Sequence, residues 1–364
     1  MSSMWGRNFK ISIFGESHGV AVGIVIDNLP SGLAIDFDEV RHHMKRRAPG
    51  QHEWTTPRKE DDEFNILSGW HNGYTTGTPL CIVIPGRDRR SEDYDNLQYL
   101  PRPGHADYTG HVRYGGFEDR RGSGHFSGRL TSNLVLAGSI ARQILAQKGI
   151  KIAAHIKRLA CIDDTPFDKV NVKDILFDEL INKDFAVIND DIAVDMKEAI
   201  ADAKAEEDSV GGIIECAAVG ISAGIGSPMF ESVESVLSSM LFSVPAVKGV
   251  EFGSGFAISD MHGSQSNDEY VMTYNGIGTK TNHNGGIIGG ITNSMPIIVS
   301  VAIKPTASIG KVQNTVNLRT GEEERLKVEG RHDPCIVPRA IPVVESAMAI
   351  ALLDCLMERA TRRI

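Results

Sequence analysis

The stretch KISIFGESHGVAVGIVID, residues 10–27, decides how the chain is read. Ile11 and Ile13 alternate with Lys10 and Ser12, so Lys10–Phe14 reads as a strand. Val20–Asp27 reads as a second strand, and Gly15-Glu16-Ser17-His18-Gly19 joins the two. A helix comes only afterwards, from Asp36 to Arg47. It has Asp36 or Asp38 as N-cap and Val40 and Met44 on one face. Two strands joined by a tight polar turn before any helix do not fit a strictly alternating β-α-β plan. The expectation is an α+β fold, a single domain over residues 1–364, since no Pro/Ser linker interrupts it.

Working outward, Ala48-Pro49-Gly50 stops the first helix and Leu80–Ile84 is a short apolar strand. Residues 85–128 are rich in Gly, Pro, Arg and His and lack periodicity; a loop region that long is usually functional. Leu130 to Lys148 is a helix, with Leu130, Leu134, Ala137, Ala141 and Ile144 at helical spacing. Asp191 to Glu207 is an acidic amphipathic helix. Ile213–Val219 and Val250–Ala257 read as strands, and Phe230–Phe242 as a helix. Gly285–Ile291 leads into a strand ending near Lys304. A last helix starts at Pro342 and runs to about Arg362.

The 364 residues are 41% hydrophobic and 23% charged, which excludes disordered and fibrous classes. No run of 18 apolar residues predicts a membrane span, and Met1–Lys10 has no signal core. The five cysteines stand singly, as expected of reduced packing thiols in a cytoplasmic protein. The net charge is −9, yet residues 163–208 alone hold 15 Asp/Glu against 5 Lys. That segment reads as a solvated outer face. The arginine-rich first third is interleaved with acids, so it is no nucleic-acid patch. P-loop, dinucleotide-fold and α/β-hydrolase signatures are all missing.

Five glycine- and proline-stiffened clusters carry the chemistry. Ser17 can bind an anion, and His18 can donate a proton near neutral pH. In Arg102-Pro103-Gly104-His105-Ala106-Asp107, His105 and Asp107 could form a carboxylate-oriented imidazole. The spacing of His18, His105, Asp107 and His111 matches no zinc pattern. Gly122-Ser123-Gly124-His125-Phe126-Ser127-Gly128-Arg129 runs into a helix N-terminus, where free N–H groups cradle anions. Lys304-Pro305-Thr306-Ala307-Ser308 suits a phosphate. Gly330-Arg331-His332-Asp333 places Arg, His and Asp side by side. Together they point to an enzyme acting on a small phosphorylated polyanion. A phosphoester hydrolase using His18 and His105 is one such reading.

At these residues the chain resembles the chorismate synthase family. The motifs around His18, Arg46-Arg47-x-Pro49-Gly50, Thr55-Thr56-x-Arg58, Arg102–Asp107, Gly285–Ile291, Lys304–Ser308 and Gly330–Cys335 carry the resemblance, which spans essentially the whole chain. It implies a sandwich of helix and sheet layers and a homotetramer. The implied reaction is 1,4-elimination of phosphate from 5-enolpyruvylshikimate 3-phosphate to give chorismate, with reduced FMN required and no net redox change. By the same resemblance, Ser17, Arg47, Arg102, Arg129 and Arg331 grip the substrate. His18 protonates the departing phosphate, and His105 handles a flavin proton. Asp333, with Ser127, assists removal of the ring hydrogen. FMN contacts map to His125, Phe126, Ser127, Pro245, Ala246, Gly289, Lys304, Pro305, Thr306, Ala307, Ser308 and Arg331. Many members have Arg-Ser-Ser where this chain has His125-Phe126-Ser127. Glu53 stands where relatives carry an arginine credited with NADPH contact, which argues against nicotinamide binding. No attached reductase domain is visible, so an external flavin reductant is expected. A flavin reductase or FMN-binding module of the same fold, without lyase activity, is the alternative.

Overall fold

The computed structural model describes residues 3–52, 54–55, 62–86, 99–274, 276–330 and 332–362. The hairpin of residues 10–27 forms as expected and belongs to the first of two five-stranded antiparallel sheets. That sheet has the order β1-β2-β3-β5-β4, with β1 Met4–Trp5, β2 Lys10–Gly15, β3 Ala21–Asp27, β4 Asn65–Ser68 and β5 Leu80–Pro85. Ile11, Ile26 and Leu80 are cross-strand partners, as are Ile24 and Ile82. All five are buried, so one face of this sheet meets the core.

The second sheet has the order β9-β10-β8-β6-β7, with β6 Lys151–Leu159, β7 Ile162–Asp163, β8 Gly212–Val219, β9 Val247–Phe252 and β10 Ile297–Ile303. Its central strands are buried along nearly their whole length, so both faces are covered.

Helices pack against one another and onto both sheets. Helix α1 (Phe37–Arg47) is capped by Asp36, whose carboxylate accepts from the Asp38 and Glu39 N–H groups. A short α2 spans Asp107–Tyr114 and α3 spans Thr131–Ala146. Then come α4 (Asp174–Asn182), α5 (Ile192–Ala205), α6 (Val233–Ser243) and α7 (Val337–Arg362). Helix α3 packs along α7 and also reaches β3. Helix α7 lies on β6 and β8, while α4 closes over β6. By length and composition α7 could cross a membrane, but 83% of its apolar window is buried inside the fold. The mixed layers agree with the expected α+β class.

Several boundaries differ from the sequence reading. Helix α7 starts at Val337 and takes Pro342 into its second turn. The strand expected over Val250–Ala257 ends at Phe252, and Gly255–Asp260 coils into a 3-10 turn. Pro296 separates the Gly285–Ile291 hairpin from β10. Helix α2 sits in a region read as loop, and β6 and α4 have no counterpart in the sequence reading.

One polar cluster lies within the second sheet. His155 is fully buried and both ring nitrogens face carboxylates, Asp164 at 3.1 Å and Glu215 at 3.2 Å. Lys157 Nζ completes the group, 2.7 Å from Glu215. A second buried group joins α1, α3, α7 and β6. The Glu345 carboxylate accepts two bonds from Arg46, at 2.6 and 3.1 Å, one from Arg142 at 3.4 Å and one from the Ala154 N–H at 3.0 Å.

Candidate active site

The turn after β2 brings Ser17 and His18 against the glycine loop that precedes α3. The Ser17 N–H donates to the Gly124 carbonyl at 3.0 Å. His18 is buried, and a Cβ placed on Gly122 would lie 1.9 Å from its Nδ1. Gly122 also has φ +57°, so two independent constraints require glycine there.

Arg102 is the hub that joins this loop to the others. Its Nε and Nη2 bind Asp107 at 2.7 and 2.8 Å, and Nη2 also reaches Ser123 Oγ at 3.0 Å. Nη1 donates to Ser308 Oγ at 2.9 Å. A guanidinium has five N–H donors, so four are committed to the protein and one on Nη1 remains. Arg102 is therefore chiefly a framework residue here, with a single donor to spare for a ligand. His105 stands beside it, its Nδ1 2.7 Å from Asp107. Burial works against the Asp107 charge, but the hydrogen bonds from Arg102 and His105 prevail and hold its carboxyl well below the usual range.

The Lys304–Ser308 loop lies against the Pro103-Gly104 turn; a Cβ on Gly104 would sit 3.9 Å from both Lys304 Nζ and Ala307 Cβ. Burial, and then the nearby charge of Lys248, lower the Lys304 pKa. Thr306 Oγ1 is buried without a hydrogen-bond partner among the described residues. The Lys304 N–H donates to the carbonyl of Ala246, which takes a left-handed φ of +74°. Pro245-Ala246 thus connects this loop to a cavity of about 770 Å³ lined by Trp5, Ile13, Tyr114, Phe126, Leu134 and Pro245. His125 and Ser127 border the same cavity. The His125 ring is pinned between the Gly15 carbonyl at 2.9 Å and Ser3 Oγ at 3.0 Å.

Arg47 is placed differently from an exposed anion grip. It is 2% exposed and its guanidinium meets the buried Asp62 carboxylate at 2.5 Å. A substrate anion would have to replace Asp62 to take that charge. The Arg47 carbonyl accepts from Arg339 Nε at 3.0 Å, and Arg339 also binds Asp333. That arginine ties the C-terminal loop to the end of α1. Arg129 is half-buried at the N-terminus of α3 and donates to the Pro85 carbonyl. The Ser127 hydroxyl caps the Arg129 N–H, so part of the expected anion cradle is already filled.

Gly289 stands at the opposite end of α6 from Pro245. The neighbouring Gly290 carbonyl accepts from Val233, the first residue of α6, whereas Pro245 follows the last. Eleven helical residues, roughly 16 Å, separate the two ends. Arg331 and Glu53 lie outside the described residues. His111 turns away to Arg120 and Glu118, and no group of three or more metal-type ligands forms among the described residues. Asp62 is the partner that sequence reasoning missed, since nothing local links it to Arg47.

The chorismate synthase family profile matches residues 9–357. The chain belongs to the chorismate synthase family. A chorismate synthase of Pyrococcus abyssi is 45% identical over 359 residues, with 98% of each chain covered. That of Dehalococcoides mccartyi is 44% identical, covering 97% of this chain and 96% of its own. A crystal structure of chorismate synthase superposes with a TM-score of 0.74 at 25% identity, over 98% of this chain and 93% of the other. The family fold therefore holds over nearly the full length of the chain.

Proposed function

We infer that this chain is a chorismate synthase, a carbon–oxygen lyase. It converts 5-enolpyruvylshikimate 3-phosphate to chorismate by 1,4-elimination of phosphate and a ring hydrogen. The observation that carries this reading is the convergence of Ser17-His18, Gly122–Gly124, Arg102–Asp107 and Lys304–Ser308 on one place in a family member. Four loops distant in sequence meet through Arg102 and Gly122, which few roles other than a polyanion site explain.

The substrate carries two carboxylates and a phosphate, and bringing such charge into a protein requires cations. Arg129, Lys304 and the spare Arg102 donor supply them, with Arg331 by family resemblance. Arg47 joins when Asp62 is exchanged for a substrate anion. His18, held against Gly122, protonates the departing phosphate and lowers the charge of the leaving group. Asp333, fixed through Arg339, and Ser127 assist loss of the ring hydrogen.

The residues present fit FMN. An apolar, partly aromatic cavity edged by Phe126 and Tyr114 adjoins a basic loop, and that loop holds the unpartnered Thr306 hydroxyl. A flat ring bearing a phosphate asks for that pair of surroundings. Reduced FMN, when bound, supplies the transient electron that the elimination needs. The protein positions both ligands and excludes water. An external reductant, a homotetramer, a cytoplasmic setting and one catalytic unit over residues 1–364 complete the proposal.

His18→Ala tests the acid role. Turnover should fall at least 10²-fold, on the order of general acid catalysis, with FMN affinity unchanged. Wild-type turnover in the variant would remove His18 from the mechanism.

A further inference from the structure

We propose that Asp107 is the positioning residue of this site, one carboxylate that fixes both the tautomer of His105 and the plane of Arg102. The inference rests on the reading of His105 as the residue that handles a proton. Asp107 opens α2, and its two oxygens divide the work. Oδ1 is 2.7 Å from His105 Nδ1 and 2.8 Å from Arg102 Nη2. Oδ2 accepts from Arg102 Nε at 2.7 Å and from the Arg102 backbone N–H at 3.0 Å.

An ionised carboxylate only accepts hydrogen bonds, so the proton between it and His105 sits on Nδ1. The lone pair of the neutral ring is then on Nε2. Arg102 Nη2 lies 3.1 and 3.4 Å from the two ring nitrogens, but its donors are committed to Asp107 Oδ1 and Ser123 Oγ. Nε2 is left as the atom of the His105 ring able to accept a proton. The Asp107 charge also balances the buried Arg102, so the ring stands beside a neutral pair and not a bare cation.

The device is local in sequence. Positions 102, 105 and 107 lie in one turn that Pro103 stiffens and Gly104 closes at φ +70°. Removing the carboxylate frees the ring to turn over, which would present an N–H where a lone pair is needed. Carboxylates that orient metal-bound imidazoles typically matter 10- to 100-fold, and an effect of that order is expected here.

The test uses the full chain with ¹⁵N-labelled histidine, its His105 signal assigned by loss in His105→Asn. Long-range ¹H–¹⁵N spectra of the ligand-free wild type should show Nδ1 protonated and Nε2 bare. Asp107→Asn should mix the tautomers and lower kcat roughly 10- to 100-fold with a smaller change in KM. Asp107→Glu should restore the Nδ1–H form and part of the rate. An Nε2–H tautomer in wild type would overturn the proposal, as would an unchanged kcat in a folded Asp107→Asn. If that variant does not fold, the wild-type spectrum and Asp107→Glu still decide it. The tautomer is read without flavin or substrate. The predicted tautomer in a protein that makes no chorismate would therefore refute the functional reading and leave the positioning role standing.

Discussion

Gly122→Ala should inactivate the site while leaving the fold intact. The added Cβ would lie 1.9 Å from His18 Nδ1 and 3.0 Å from Ser17 Oγ. Ordinary contact begins at 3.4 Å, so the imidazole must retreat about 1.5 Å or the loop must move. The alanine must also hold φ +57°, a left-handed conformation that costs roughly 1–2 kcal/mol. Overpacking adds about 1–3 kcal/mol. The sum, about 2–5 kcal/mol, does not exceed the roughly 5–15 kcal/mol that holds a typical protein folded, so the variant should melt several degrees lower and stay folded. Displacing a catalytic group by about 1 Å can cost on the order of 10²-fold in rate. The expected result is turnover reduced about 10²-fold, with a cooperative melt preserved. Gly263→Ala is the control, because nothing lies within 4 Å of a Cβ there. Chorismate formation under saturating reduced flavin, beside thermal melts of all three proteins, makes the measurement. A folded Gly122→Ala variant with wild-type turnover would show that His18 need not stand where the glycine loop holds it.

The two buried charge groups should govern stability. Burial alone would lower the His155 pKa, but its bonds to Asp164 and Glu215 prevail and raise it. Burial likewise opposes the Glu215 charge, yet His155 and Lys157 bring its pKa down to about 2. The His155 contribution is full below its ordinary value of 6.5 and is lost as pH rises through the raised folded value. The Glu215 contribution is present above its ordinary 4.5 and is lost as pH falls toward 2. The Tm difference between wild type and His155→Gln should therefore be largest between about pH 4.5 and 6.5 and shrink on either side; a flat difference would refute the pairing. Glu345→Ala should cost roughly 3–5 kcal/mol in denaturant unfolding, because Arg46 and Arg142 would be left buried without their carboxylate. Glu345→Gln should cost less, and equal losses would argue that packing rather than charge dominates.

Much of the frame was legible because its signals are local. The residue 10–27 hairpin alternates, α1 has an aspartate cap and α3 repeats its apolar positions at helical spacing. Strand β6 was hidden for a physical reason. It is covered on both faces, so it does not alternate, and its Lys151, His155, Lys157 and Arg158 look like a polar segment until their carboxylate partners arrive from elsewhere. Helix α2 follows a Pro-Gly turn, contains Gly110 and ends on Gly115 at φ +63°, a composition that reads as loop. Within the site, the clusters themselves were visible as glycine-stiffened motifs. Their mutual distances were not. Arg47 and Arg102 resemble anion grips in sequence, but the fold gives one a buried partner in Asp62 and makes the other a hub. Gly289 belongs to a familiar-looking glycine run, and only the fold shows that it and Pro245 stand at opposite ends of α6.

The central claim is a flavin-dependent elimination at the His18–Arg102–Lys304 cluster. The most direct test mixes the protein anaerobically with 5-enolpyruvylshikimate 3-phosphate, with and without chemically reduced FMN, and follows chorismate absorbance and free phosphate together. Chorismate and phosphate rising in equal amounts, only when reduced FMN is present, is the predicted result. Phosphate released without flavin and without chorismate would contradict it and make the cluster a phosphoester hydrolase.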